Sequence, residues 1–406
     1  MKTDFTIIAD GGITAPQGFK AGAAQAAVKK AGRYDLAVVA SEVSAIAAGV
    51  FTTNKFQAAP VLVSRRHLQQ ESAWGFVVNS GCANACTGEP GLQDAVKMAQ
   101  DTAQGLGCKP EAILVASTGV IGVPLPLERV TAGIAAACGN LSREHGELAA
   151  QAILTTDTFK KELAVKYEEE GKTVTLGAMA KGSGMIHPDM ATMLGFVTTD
   201  AAITKDCLQQ ALCEANSYSF NMITVDRDTS TNDSLFILAN GQAGNPVIDS
   251  AESAAYGRFL DALTYLCTEL AKLIAKDGEG ATKLIEVRVQ GAKTLQDARL
   301  AARSIAASNL VKAAIFGADA NWGRIVCALG YSGADFDPAL ADVYIGDLAM
   351  AQNGQGLNFD EEKAARLLKE DAVVLKVVLK QGPADATAWG CDLTYDYVKI
   401  NGDYRT

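Results

Sequence analysis

An α/β fold is expected, on three observations. Short apolar runs separated by turn residues fill residues 1 to 90, stretches with helical periodicity follow from Leu92, and from about Lys283 the two patterns alternate. That last alternation marks a smaller α/β domain at the C-terminal end.

Taken in order, Leu36 to Ala40, Ile46 to Phe51, Val61 to Val63 and Gly75 to Asn79 read as strands. Ala21 to Lys30 is undecided, because its alanines favour helix and its neighbours favour strand. Leu92 to Leu106 has helical periodicity, and the apolar run Ala112 to Ala116 is a strand ending in Ser117-Thr118-Gly119. Helices are expected at Leu127 to Ala137 and Arg143 to Leu154, a buried strand at Leu194 to Thr199, a helix at Ile203 to Tyr218 and a strand at Leu235 to Ala239. A long Leu- and Ala-rich helix spans Ala251 to Lys276 and stops at Asp277-Gly278-Glu279-Gly280, where glycine supplies the terminating conformation. Beyond it come strand Leu284 to Gln290, helix Leu295 to Ser308, strand Ala313 to Phe316, helix Asn321 to Leu329, and strands near Val343, at Val373 to Leu379 and at Trp389 to Tyr395. The domain boundary is placed at 282/283, giving residues 1–282 and 283–406.

At 406 residues the chain is long enough to bury a sizeable core. A net charge of -10 disfavours nucleic acid and anionic membrane as partners, leaving small molecules or other copies of the chain. No run of 18 or more apolar residues occurs and the first residues lack a signal-peptide layout, so a soluble, cytoplasmic protein is expected. Nine scattered cysteines suit reduced, buried thiols better than a disulfide framework.

Chemistry concentrates in Lys181 to Leu194, KGSGMIHPDMATML, where a cation and flexible glycines lead to Ala191-Thr192 at the mouth of a strand. A threonine hydroxyl needs a base, and the chain has only His67, His145 and His187. Pro188 and Asp189 make the surroundings of His187 turn chemistry, so it is not taken as the base. A threonine that becomes a chain's first residue carries its own base, an α-amine with a pKa of about 8. Exposing it requires the Thr192 hydroxyl to attack the Ala191 carbonyl, giving an ester that water opens. On residues alone, a structural threonine capping the strand is the competing reading.

Other segments carry similar ambiguity. Cys82 and Cys86 in NSGCANACTG invite a metal, but no second Cys or His pair lies at tetrahedral-site spacing, and packing of small residues is favoured. Thr118-Gly119 offers a hydroxyl beside an N–H, fit for an oxyanion or for an ordinary turn. Thr155-Thr156-Asp157-Thr158 reads as a cap or turn cluster. The polar cluster Val225 to Ser234 is read as a hydrogen-bonded loop under the pocket, its roles unassigned.

KGSGMIHPDMATML resembles the self-cleavage segment of the ornithine acetyltransferase family, the bifunctional glutamate N-acetyltransferases of arginine biosynthesis. Further segments look like the same family in the same order: GVFTTNKFQAAPV (49 to 61), NSGCANACTG (79 to 88), STGVIG (117 to 122), TTDT (155 to 158), VDRDTSTNDS (225 to 234), DGEGATK (277 to 283), FGADANWGR (316 to 324) and CDLTYDYVKINGDYRT (391 to 406). The resemblance covers essentially the whole chain.

It implies a layered sandwich with stacked sheets between helical layers, and self-cleavage between Ala191 and Thr192 into pieces 1–191 and 192–406. By the same resemblance Thr192 is the nucleophile, Thr118 and Gly119 form the oxyanion hole, and Thr155 (with Thr156 as close alternative), Lys181, Thr192, Glu279, Asn401 and Thr406 contact substrate. The implied reaction moves acetyl from N2-acetylornithine to glutamate through an acyl-threonine, with no metal or bound cofactor. Some members also take acetyl from acetyl-CoA, and no residue here decides that point. Two alpha and two beta pieces are the implied assembly. The rival readings are an N-terminal-Thr amidohydrolase or aminopeptidase and a non-catalytic amino-acid-binding protein.

Overall fold

The computed structural model describes residues 5–187 and 193–403. They form two compact units, the first of residues 1–182, 189–219 and 229–270, the second of residues 183–188, 220–228 and 271–406. The units interleave along the chain, whereas the sequence alone suggested one boundary at 282/283.

In chain order the first unit contributes β1 (Phe5–Ile8), β2 (Phe19–Ala24), β3 (Leu36–Phe51), β4 (Ala73–Cys82), β5 (Ile113–Val120), β6 (Lys161–Glu169), β7 (Lys172–Lys181) and β8 (Leu194–Thr199). The short β9 (Ile223–Thr224) belongs to the second unit, and β10 (Ser234–Ala239) to the first. The second unit continues with β11 (Leu284–Ala292), β12 (Asp342–Ile345), β13 (Leu348–Gln352), β14 (Gln355–Gly356), β15 (Ala372–Val378) and β16 (Ala384–Cys391). The helices are α1 (Ala59–His67), α2 (Gly88–Leu106), α3 (Leu127–Gly139), α4 (Gly146–Ala152), α5 (Lys205–Tyr218), α6 (Ala254–Lys276), α7 (Leu295–Ala307), α8 (Asn309–Phe316), α9 (Trp322–Gly330), α10 (Glu361–Leu367) and α11 (Tyr395–Gly402).

Strand order in the first unit is β1-β6-β7-β8-β10-β3-β4-β5, with β2 also pairing β3. The long β3 makes the architecture. Its first half pairs β2 and β4, its register shifts between Ala40 and Ala45, and its second half pairs β10. The shift lets one strand serve two stacked layers, whose facing side chains form the core: Phe76 of β4 stacks on Phe196 of β8 at 4.4 Å between centroids and meets Phe236 of β10 edge-on. Helices cover the outer faces. Met98 of α2 and Ile134 of α3 pack on Val77 and Val115, while Gln209 of α5 hydrogen-bonds the Gly49 backbone of β3. This is the stacked-sheet α/β sandwich that was expected.

β8 and β10 run parallel, and every residue of both is buried, which explains why each reads as an unbroken apolar run. The second unit's sheet, β14-β13-β12-β15-β11-β16-β9, instead shows the alternation of a one-faced sheet in β15.

Three local expectations are corrected. Val61 to Val63 lies in α1, not a strand, because Pro60 at the helix start supplies the φ of a first turn. Ala313 to Phe316 ends α8, which Ser308 caps by accepting from the Val311 N–H. The strand over Trp389 to Tyr395 stops at Cys391, because Thr394 accepts from the Tyr397 N–H and starts α11. The undecided stretch Ala21 to Lys30 begins in β2.

Candidate active site

In the first unit, β4 and β5 run parallel and deliver Ser80-Gly81 beside Thr118-Gly119, where the register shifts at Gly81/Cys82. Thr118 is buried. Gly119 has φ +133°, and a Cβ there would lie 2.3 Å from the Gly81 carbonyl carbon, so only glycine fits. Behind this corner a polar network holds the two strand ends: the Ser117 hydroxyl donates to Asn79 Oδ1 at 2.6 Å, and Asn79 Nδ2 donates to the Cys82 carbonyl at 2.9 Å. Asn232 Nδ2 donates to the carbonyls of Ala83 (2.6 Å) and Ser117 (2.8 Å). Asn232 thereby fixes the peptide that precedes Thr118, a role the polar cluster before β10 did not reveal in sequence. Gly119→Ala is expected to cost about 1–3 kcal/mol, read as a lower urea midpoint, because the added carbon must push two backbones apart.

Cys82 is buried, its thiol donates to the Val123 carbonyl at 3.3 Å, and burial raises its pKa. Cys86 is exposed. Among the described residues no group of three or more His, Cys, Asp and Glu is placed to hold a metal.

Lys181 closes β7 and is almost wholly buried, as is Lys161 at the start of β6. Both face Asp157. Its Oδ1 accepts from Lys161 Nζ at 2.7 Å and from the Gly182 N–H at 2.7 Å, its Oδ2 accepts from the Thr155 N–H at 3.0 Å, and Lys181 Nζ stands 3.9 Å away. Burial opposes ionisation of this carboxyl, but the Lys181 and Lys161 ammoniums and these hydrogen bonds outweigh it and bring the pKa to about 2. Asp157 therefore brings the expected substrate residues Thr155 and Lys181 onto one anchor. Nothing in the run TTDT distinguishes such an anchor from a turn residue.

In the second unit, Glu279 is buried at the end of the DGEG turn; its N–H donates to the Ser183 carbonyl at 2.9 Å. Asn401 Nδ2 donates to Glu279 Oε2 at 2.8 Å and to the Tyr397 carbonyl at 3.0 Å, so the structure joins these two expected contacts. A Cβ at Gly184 would lie 2.4 Å from the Glu279 carboxyl, so a side chain there would displace it. The Ser183 hydroxyl donates to the Asp277 carbonyl at 2.6 Å.

Asp226 accepts from the N–H groups of Met185 (2.6 Å) and Ile186 (2.8 Å), and so stabilises Met185 at φ +58°. Burial raises the Asp226 pKa against those hydrogen bonds. Burial, with the nearby Asp226, Asp228 and Glu279 charges, also raises the Tyr397 phenol. His187, set aside as a base, has Nδ1 3.1 Å from the Thr224 hydroxyl. Ala191, Thr192 and Thr406 lie outside the described residues.

The first unit, by itself, supplies a buried cation beside a Thr segment, and the second, by itself, a buried carboxylate with an amide partner. The sequence profile of the ArgJ family matches residues 20–406. The chain is 61% identical over 398 residues, covering 98% of it and 99% of the relative, to "Arginine biosynthesis bifunctional protein ArgJ" of Symbiobacterium thermophilum. It is 54% identical over 392 residues, 96% of each chain, to "Arginine biosynthesis bifunctional protein ArgJ 1" of Clostridium acetobutylicum. Among solved structures, a crystal structure of arginine biosynthesis bifunctional protein ArgJ from Bacillus halodurans is similar, with 50% identity, a TM-score of 0.51, and coverage of 52% of this chain and 99% of that one. Agreement of this extent, running through the segments that carry Thr118, Lys181, Glu279 and Asn401, has one meaning: the chain belongs to the ArgJ family.

Proposed function

We propose that the chain is a glutamate N-acetyltransferase that moves acetyl from N2-acetylornithine to glutamate in arginine biosynthesis. The observation that carries this reading is the family match over residues 20–406, with relatives 61% and 54% identical over 98% and 96% of the chain.

In this reading the chain first cuts itself. The Thr192 hydroxyl attacks the Ala191 carbonyl carbon, the C–N bond breaks with the proton passing to nitrogen, and water hydrolyses the ester. Pieces 1–191 and 192–406 result, and Thr192 gains a free α-amine. That amine takes the hydroxyl proton as Thr192 attacks the acetyl carbon of N-acetylornithine, while Thr118 and Gly119 hold the oxyanion. The amide C–N bond breaks, its nitrogen takes the proton, and ornithine leaves. The glutamate amine then attacks the acyl-Thr192 ester, releasing N-acetylglutamate and the threonine hydroxyl.

Lys181 pairs with substrate carboxylate, Glu279 suits the cationic end of ornithine, and Thr155, Asn401 and Thr406 complete the contacts. Acetyl-CoA, as a second donor, enters by acylating the same threonine, which accounts for a bifunctional enzyme without a resident cofactor or metal. The two pieces stay together, two such units associate as two alpha and two beta chains, and the enzyme works in the cytoplasm.

Intact mass spectrometry of the purified protein is expected to show fragments of 191 residues and, by 406 minus 191, 215 residues. Incubation with N-acetylornithine and labelled glutamate is expected to give labelled N-acetylglutamate and free ornithine. Release of acetate without labelled product would instead identify a hydrolase.

A further inference from the structure

Residues 183–186 form a short strap that the second unit holds at both ends. At one end Ser183 is tied to the DGEG turn twice: its carbonyl accepts from the Glu279 N–H at 2.9 Å, and its hydroxyl donates to the Asp277 carbonyl at 2.6 Å. Gly184 then lies against the Glu279 side chain, where a Cβ would come within 2.4 to 2.6 Å of the carboxyl carbon and both oxygens. At the other end the Asp226 carboxyl grips two successive amides, Oδ2 accepting from Met185 at 2.6 Å and Oδ1 from Ile186 at 2.8 Å. The Ile186 carbonyl accepts from the Val225 N–H at 2.8 Å, and the Val225 carbonyl accepts from the buried Lys312 Nζ. Met185, between the two ends, stands at φ +58°, which a residue with a Cβ adopts only at a cost. Its side chain is exposed, which leaves the paired hydrogen bonds to Asp226 to offset that cost.

We propose that Asp226 is a positioning residue for substrate selection: by holding the Met185 turn it seats Gly184 against Glu279, and so fixes the carboxylate that recognises a cationic side chain. This rests on the reading of Glu279 as the contact for the cationic end of ornithine. A glutamate side chain turns about several bonds. Asn401 Nδ2 restrains one of its oxygens at 2.8 Å, and the Gly184 backbone limits where the rest of the carboxyl can go. Without the Asp226 hydrogen bonds Met185 relaxes toward negative φ and Gly184 shifts with it. The carboxylate then gains freedom that binding an ammonium must remove again, which weakens binding of the cationic substrate alone.

The readout is the ratio of kcat/KM for N2-acetylornithine to that for N2-acetylnorvaline, which has the same carbon chain without the δ-amine. A merely structural defect lowers both values alike and leaves the ratio unmoved. Asp226→Asn keeps one acceptor oxygen but turns an NH2 toward the other amide. It is expected to lower the ratio about tenfold, through KM for N2-acetylornithine, with kcat retained. Adding Met185→Gly to Asp226→Asn is expected to recover part of the ratio, because glycine takes positive φ without help. Gly184→Ala leaves Asp226 intact and should lower the ratio as well, by pushing the Glu279 carboxyl aside. A wild-type ratio in either single variant would overturn the proposal, and should Asp226→Asn not fold, Gly184→Ala decides alone. Glu279→Gln separates the two levels of the argument: a ratio lost there but kept in Asp226→Asn overturns the positioning role only, whereas a ratio kept in Glu279→Gln refutes the reading of Glu279 itself.

Discussion

Thr192→Ala is expected to yield one uncut chain of 406 residues with no measurable acetyl transfer from N-acetylornithine to glutamate. Both losses follow from one missing oxygen. Without a hydroxyl, nothing attacks the Ala191 carbonyl, so the α-amine stays locked in a peptide bond, and no acyl ester can form in turnover. Removing a covalent nucleophile lowers kcat by several orders of magnitude, on the order of 10⁶ where nucleophile, base and oxyanion donors act as a unit. Thr192→Ser keeps the hydroxyl and should recover both cleavage and transfer, more slowly. Mass spectrometry reads the first step and labelled N-acetylglutamate the second. A Thr192→Ala protein that still separates into two pieces, or still forms the labelled product, would remove threonine from the mechanism altogether.

Much of the frame was legible in the chain because burial on both faces writes itself as a continuous apolar run. β8 and β10 were found that way, and α2, α5 and α6 through helical periodicity. The hairpin β6–β7 was not identified, although it carries Lys161 at one end and Lys181 at the other. Charged residues interrupt its apolar alternation, and its turn, Glu170-Gly171 with both residues at positive φ, lacks the Asn-Gly or Asp-Gly sequence that signals such turns most clearly. α1 was misread because a three-residue apolar run cannot distinguish strand from helix, and the decisive feature was Pro60 before it.

The candidate site divided similarly. Motif resemblance supplied Lys181, Glu279 and Asn401, and the structure adds what holds them. Asp157 and Asn232 stayed hidden because each lies in a run of Thr, Ser, Asn and Asp whose pattern suits a solvated loop as well as a buried anchor. Only burial and the identity of the facing groups separate the two cases. The carboxylate that unites two buried lysines is separated from Lys181 by the entire hairpin, so no local pattern could have shown it.

That carboxylate gives the second large prediction. Asp157→Ala is expected to destabilise the protein by about 3–5 kcal/mol, because it strips two buried ammoniums of the carboxylate they share and leaves the Thr155 and Gly182 N–H groups without their acceptor. Asp157→Asn retains the shape and an oxygen but not the charge, so its loss should be intermediate. The wild-type carboxyl, with a pKa of about 2 when folded, sheds its proton more readily than in the unfolded chain. Its contribution is therefore complete above about pH 4, the unfolded value, and disappears as pH falls through about 2. The shift from 3.8 to about 2 corresponds to roughly 2 kcal/mol, undiminished by solvent since the side chain is sealed from it. Urea unfolding between pH 5 and 2 should show that slope in the wild type and a flatter one in Asp157→Asn. Equal slopes would mean that the two lysines draw their compensation elsewhere. The same variants test the substrate role of Lys181: once released from Asp157, its ammonium should hold a carboxylate less well, and KM for N-acetylornithine should rise more than kcat falls.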